Sequence, residues 1–404
     1  MIRLIPFFLL TVLTAASVKG SAQPPGQAQG SLAREVTGMV KEEVIRAANA
    51  ALTEEPRTVT ASFCPRSSGG RHDYYSEGTY WWPDTARPGA PYIRRDGIRN
   101  PANFGEHEAA LHHFSRTVAN LTSAYLLTGD DRYVQAAMRQ MNAWMVDTAS
   151  LMNPDLLHSQ AISGICTGRS FGIIDAVPLI EVALSLMALE KARAVNPEEI
   201  RPTREWFRRF TLWLNTHPYG TEEKEAKNNH GTWWLAQVSA YARLTGDIAL
   251  LAECREIFTT KVLPAQMAAD GSFPLELVRT KPFGYSLYNL DALAAAARIL
   301  SDQSFDAWNF SLPDGRGLKK GLEFMMPFVK DVATWSYARD VAGWEALPGP
   351  RNFILLAALS ENNAGWLTLW KSLAAKDLAG ESRKALPLSI PIIWISLIDN
   401  KLNR

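Results

Sequence analysis

The chain has 404 residues, with 42 Lys and Arg against 41 Asp and Glu, 47% hydrophobic residues and three cysteines. That balance excludes a basic nucleic-acid binder and an acidic disordered tail, and so few cysteines exclude a disulfide-stapled mini-protein. At 21% charged residues a coiled coil is excluded too.

In chain order, Arg3 precedes an apolar run from Leu4 to Ala16, and Gly20-Ser21-Ala22 follow. This is the pattern of a secretory signal over residues 1–22, too short for a membrane span, and it predicts a periplasmic or secreted protein. Gln23 to Ser31 (QPPGQAQGS) reads as part of a flexible linker over 23–35, leaving 36–404 as a single domain. Loss of Arg3 and Lys19 turns the formal balance from +1 to −1, so an acidic partner must be met by locally placed Arg, Lys and His. Cys64, Cys166 and Cys254 read as small core residues, with a disulfide of Cys64 as the alternative.

From Glu106 the apolar positions recur at three- and four-residue steps: His107, Ala110, Leu111, Phe114, Val118, Leu121 and Tyr125. Thr128-Gly129-Asp130 stops that helix and starts another, running to about Val146. The same joint returns 116 residues on, where Ser123-Ala124-Tyr125 … Thr128-Gly129-Asp130 is echoed by Ser239-Ala240-Tyr241 … Thr245-Gly246-Asp247. Further helices are predicted at about 175–194, 202–215, 286–301 and 316–328. Repeated antiparallel hairpins in an all-α chain of this size close into an (α/α) toroid, an inner ring of helices inside an outer one. Its open end is predicted to be lined by the irregular stretches 67–103, 153–172, 218–229 and 271–284. The apolar segment Ala385 to Ile398 is interrupted by Pro387 and Pro391 and reads as docking on the core.

Three of these stretches carry chemistry. Ser67 to Asn103 holds Tyr74, Tyr75, Tyr80, Trp81, Trp82, Arg94, Arg95 and Arg99 among Gly and Pro. Aromatic faces stack on sugar rings and guanidinium forks bind carboxylates, so the mixture suits an acidic polysaccharide. Asn228-Asn229-His230 opens a helix, where free N–H groups favour an anion. Arg279 and Lys281 precede a helix with Tyr285 near its start, and a phenol becomes a usable base when cations stabilise its phenolate. His107, His112 and His113 do not form a metal-binding face, and no metal or cofactor is expected.

Taken together, DYYSEGTYWWPD (Asp73 to Asp84), YIRRDGIRNP (Tyr92 to Pro101), GICTGRSFGIID (Gly164 to Asp175), NNHGTWW (Asn228 to Trp234) and the LELVRT…YSLYNLDAL segment (Leu275 to Leu293) resemble the alginate lyase domain superfamily of polysaccharide lyases. The resemblance spans about residues 56–345 and implies the (α/α) toroid. It implies that Asn229 and His230 neutralise a substrate carboxylate with the help of Arg279, and that Tyr285 is base and acid. It also implies a lid tyrosine at Tyr74 or Tyr75, and substrate contacts from Trp81, Trp82, Arg94, Arg95, Gln160, Arg169 and Lys281. The six-residue step from Arg279 to Tyr285 is one shorter than in small bacterial alginate lyases and resembles a branch that includes glucuronan-active enzymes.

Such a set would cleave a uronate polymer by β-elimination: the carboxylate accepts the charge left at C5, and Tyr285 takes that proton and returns one to O4. An inverting glycoside hydrolase, with Glu77, Asp175 and Glu276 as candidate acids, is the rival enzyme. A non-catalytic module binding acidic glycans is the rival outside catalysis. The expected partner is an acidic polysaccharide met by a monomer, with neither nucleic acid nor membrane involved.

Overall fold

The computed structural model describes residues 25–376 and 388–398, with backbone alone for 25–29. The signal assigned to residues 1–22 lies outside them. The chain is an incomplete (α/α) toroid.

Helix α1 (Pro25–Ala51) comes first and corrects the linker expected over 23–35. Leu32, Ala33, Val36, Val40, Val44 and Ala48 are buried at helical spacing, which overrides the Gly and Pro content before them. Helices α2 (Glu106–Thr128) and α3 (Asp131–Met145) follow, then α4 (Leu179–Leu189), α5 (Pro197–Thr216), α6 (Pro218–Lys224), α7 (Asn229–Thr245) and α8 (Ile248–Ile257). Short α9 (Leu263–Gln266) and α10 (Pro274–Leu277) lead to α11 (Pro282–Leu300), α12 (Leu318–Lys330), α13 (Asn352–Ser360), α14 (Ala364–Lys376) and α15 (Pro391–Ile398). Helix α6 replaces part of the loop expected over 218–229.

The repeated Thr-Gly-Asp joint works the same way twice. Gly129 and Gly246 end α2 and α7 in the left-handed conformation, φ +72° and +71°, which a side chain would disfavour. Asp130 and Asp247 then accept from the backbone N–H of Arg132 and Leu250, capping α3 and α8.

Burial separates the two rings. Helices α4, α7, α11 and α13 are buried nearly all round, whereas α3, α5 and α12 are buried on one stripe. The inner helices touch in the order α2, α4, α7, α11, α13, with α1 against both α2 and α13. Helix α15 meets α1, α2, α4, α11 and α13, and the Trp394 indole donates to the buried Glu181 of α4 over 2.9 Å. Each large apolar side chain sealed in this way stabilises the fold by about 1.5–3 kcal/mol.

Two small sheets sit at one end of the ring. Strand β1 (Tyr75–Glu77) pairs in parallel with β4 (His158–Ala161), and β2 (Trp81–Trp82) with β3 (Ile93–Arg94) as a hairpin. All three cysteines are free thiols. Cys64 and Cys254 are buried as expected, but Cys166 is half-exposed on the 162–166 turn rather than in the core.

Candidate active site

A cavity of about 490 Å³ opens where α7 and α11 begin. The β2–β3 hairpin, the 160–174 segment, the starts of α7 and α11, and the 340–351 segment form its walls. The first three come from stretches singled out in the sequence. The fourth does not.

At the start of α7, Asn228 caps the helix by accepting from the His230 N–H. The Asn229 backbone N–H and side-chain Nδ2 donate to the buried Glu276, at 2.7 Å and 2.9 Å. These helix-end donors, expected from the sequence to meet an external anion, are therefore held by an internal one. Burial pushes the Glu276 carboxyl up and the Asn229 donors work against it. His230 donates through Nδ1 to the buried Glu223 over 2.5 Å, which fixes the ring and leaves Nε2 for the cavity. Phe171 meets the imidazole edge-on at 4.8 Å.

Tyr285 lies on the first turn of α11. Its hydroxyl donates to that of Tyr80, 2.8 Å away, and the Arg279 guanidinium lies 4.2 Å over its ring. Burial drives the phenol above its ordinary pKa, Tyr80 adds to this, and Arg279 opposes it. Of the two cations expected to lean on this phenol, Arg279 does so through the ring face. Lys281 lines the cavity with no hydrogen bond to it. Arg279 also bonds Asp96, at 3.1 Å and 3.4 Å.

Of the other predicted contacts, Trp81, Arg94, Gln160, Arg169 and Lys281 line the cavity, and Tyr74, Tyr75, Trp82 and Arg95 do not. Tyr74 and Tyr75 are buried where β1 meets β4, the former against Asp175 and the latter against Glu77, so neither can serve as a lid. Trp82 donates to the Ile98 carbonyl and carries Arg95 on its face, which ties the hairpin together. Gln160 adopts φ +48°, a strained value for this residue type. Its side chain accepts from Arg169 and donates to Asp175, so Gln160 links the two in a chain Asp175–Gln160–Arg169.

Tyr80, Arg99, Asp340 and Arg351 also line the cavity and were not among the predicted contacts. Tyr80 sat in the flagged loop, five residues past Tyr75, but only the hairpin register shows which tyrosine faces inward. Asp340 accepts from the N–H groups of Phe283 and Gly284 at the start of α11. Among the described residues it is the one carboxylate in the lining. Glu77 is tied to Arg66 and Phe104, Glu276 to Asn229, and Asp175 lies behind Gln160, so the two facing acids of an inverting hydrolase are not assembled here.

A model of the alginate lyase family matches residues 58–335. The fold is similar to that of an alginate lyase from Bacteroides ovatus, with a TM-score of 0.75 and 31% identity, covering 86% of this chain and 94% of that one. Alginate lyase A1-III from Sphingomonas species A1 matches with a TM-score of 0.52 at 16% identity, over 80% and 85% of the two chains, which speaks for the fold alone. A variant of that enzyme complexed with a tetrasaccharide matches with a TM-score of 0.51 at 16% identity, over 76% and 79%. Among curated proteins none matches.

Proposed function

The chain belongs to the alginate lyase family and is a polysaccharide lyase; from that premise we propose how its cavity residues carry out the elimination and on what. The substrate is a polyuronate, alginate by analogy with the Bacteroides ovatus enzyme and glucuronan as the second candidate. The observation that carries this reading is the meeting of Tyr285, Arg279 and His230 on one cavity wall, with Tyr80 on the phenol.

The C5 proton of a uronate is hard to remove because the charge it leaves develops beside a carboxylate. His230 Nε2 and Arg279 pair with that carboxylate and let it take up the charge. Asn229, held by Glu276, keeps the start of α7 rigid beside them. Tyr285 removes the C5 proton as phenolate and protonates O4 as the glycosidic bond breaks, leaving a C4=C5 double bond. Trp81 offers a face to a neighbouring sugar, and Arg94, Arg169 and Lys281 meet neighbouring carboxylates. The export pattern at residues 1–22 supports action outside the cytoplasm, where such polymers are met.

The test is ultraviolet absorbance of unsaturated ends, measured with polymannuronate, polyguluronate and glucuronan. Cleavage of at least one is expected, with activity abolished in Tyr285→Phe and reduced about a hundredfold in His230→Ala, a larger effect on rate than on thermal midpoint. Substantial turnover by folded Tyr285→Phe overturns the mechanism.

A further inference from the structure

Arg279 does not stand alone on Tyr285. Asp96, in the turn after β3, accepts from Arg279 Nη2 at 3.1 Å and Nε at 3.4 Å, from Thr280 Oγ1 at 2.8 Å and from Arg94 Nη2 at 2.6 Å. Its side chain is about one-fifth exposed. Two cavity arginines from different walls therefore share one carboxylate, and these charges hold its pKa down to about 2 against the cost of burial. It is ionised at any working pH.

The same residue joins two parts of the site. One position before it, the Arg95 N–H donates to the Tyr80 carbonyl over 2.8 Å, so the turn bearing Asp96 is bonded to the residue whose phenol meets Tyr285. One position after it, Gly97 packs so tightly on the 280–281 segment that a Cβ would lie 2.6 Å from Thr280 Oγ1. On the other side, the Val341 N–H donates to the Thr280 carbonyl, drawing the fourth wall to the same place. Asp96 is thus the charged rivet between the hairpin that presents Tyr80 and the segment that presents Arg279 and Tyr285.

Resting on the lyase reading above, we propose that Asp96 is a positioning residue for the elimination: its carboxylate holds Arg279 over Tyr285 and fastens the Tyr80 hairpin to the start of α11. It makes no contact with substrate in this role. It also sets the charge that Tyr285 feels. The titratable groups around that phenol are Tyr80 and Asp96 from the hairpin, Arg279 and Lys281 from the segment before α11, His230 from α7 and Asp340 from the fourth wall. Arg279 favours the phenolate and Asp96 disfavours it, so loss of the Asp96 charge leaves the Arg279 charge less compensated.

The experiment compares Asp96→Asn with the parent enzyme on whichever polyuronate the absorbance assay shows to be cleaved, reading kcat, KM and the pH profile of kcat. The expected result is a fall in kcat of about tenfold or more, as misplaced groups at a reacting centre cost rate. KM should be unchanged or lower, because an anion beside the substrate carboxylate has gone. The limb on which kcat rises with pH should move to lower pH, because the Asp96 charge that disfavours the phenolate has gone. Folded Asp96→Asn with kcat within twofold of the parent overturns the proposal. So does a tenfold loss with the limb unmoved, which is what a mere scaffold contact would give. Should Asp96→Asn fail to fold, Thr280→Val removes one donor to Asp96 while keeping the charge. There, kcat several-fold lower with KM changed less than twofold supports the proposal, and parental kcat or an equal rise in KM overturns it. Activity in Tyr285→Phe would defeat the mechanism and this inference together, whereas an inactive Tyr285→Phe beside a normal Asp96→Asn defeats this inference alone.

Discussion

The hydroxyl of Tyr285 donates to that of Tyr80 over 2.8 Å, across 205 positions of sequence. One phenol comes from the first turn of an inner-ring helix, the other from a hairpin lying across the mouth of the ring. The pair meets at the phenol that, on the mechanism proposed above, exchanges the proton. Tyr80→Phe keeps the ring and removes the acceptor. We expect kcat to fall about tenfold with KM changed less than threefold, in the range usual for a group assisting proton transfer. Steady-state kinetics on the cleaved polyuronate give the answer, and an unchanged kcat makes the Tyr80 hydroxyl a bystander.

Glu276→Gln tests the support under Asn229. Glu276 accepts from two Asn229 donors in a site with almost no solvent, and a glutamine there turns an N–H toward one of them. An unmet buried donor costs about 1–3 kcal/mol, so the melting temperature should drop by a few degrees. The rate should drop roughly ten- to hundredfold, because His230 follows Asn229 in the same turn. Calorimetry beside an activity assay separates the two effects; a parental rate would show that the start of α7 needs no such anchor.

The hairpins were legible in the sequence because each uses local signals: apolar residues at helical spacing, then Gly and Asp where one helix ends and the next begins. Asn229, His230, Arg279 and Tyr285 were brought forward chiefly by the resemblance, and all four line the cavity: Asn229, His230 and Tyr285 from the first turns of α7 and α11, Arg279 from the segment just before α11. Helix α1 was missed because Gln23 to Ser31 has linker composition, and what holds the helix in place is packing against α2, α13 and α15, which composition does not record. Tyr80 was passed over in favour of Tyr74 and Tyr75 because three tyrosines within seven residues differ only in which way the strands turn them. Asp96 meets Arg279 across 183 positions of sequence and Asp340 meets Phe283 across 57, so no local pattern marks them, and Glu223 meets His230 only through the turn between α6 and α7.

Gly97→Ala should loosen the hairpin without unfolding the ring. At φ +79° an alanine is strained by about 1–2 kcal/mol, and its Cβ would meet Thr280 Oγ1 at 2.6 Å and Val341 Cγ2 at 2.8 Å. The expected outcome is kcat/KM lower by about tenfold, with faster proteolysis between residues 78 and 103 and a melting temperature within a few degrees of the parent. Cleavage kinetics under limiting protease would reveal it. Unchanged proteolysis and unchanged kcat/KM would show that the turn tolerates the extra atom.

Asp175 should shape the pH dependence of stability. Burial raises its carboxyl to about 7, well above the value of about 3.9 in an unfolded chain. Between those values the folded protein holds a proton that the unfolded chain has lost, so stability declines as pH rises from about 4 through about 7. Glu181, also raised to about 7 by burial, acts in the same direction. Asp175→Asn should make the fall of melting temperature across that window shallower while leaving the share due to Glu181. Melting scans from pH 4.5 to 8 test this, and an unaltered slope would remove Asp175 from the account.

The cavity presents six cationic side chains, yet four already face protein carboxylates: Arg94 and Arg279 share Asp96, Arg99 meets Glu108, and Arg351 meets Asp291. Among the described residues, Arg169 and Lys281 form no ion pair. A polyanion entering this site therefore displaces few small ions, because most of the positive charge is balanced before it arrives. Its binding should weaken with added salt far less steeply than six cations would suggest. An enzyme so built should lose less of its hold on a charged polymer, as water turns to brine, than one whose cations all stand open.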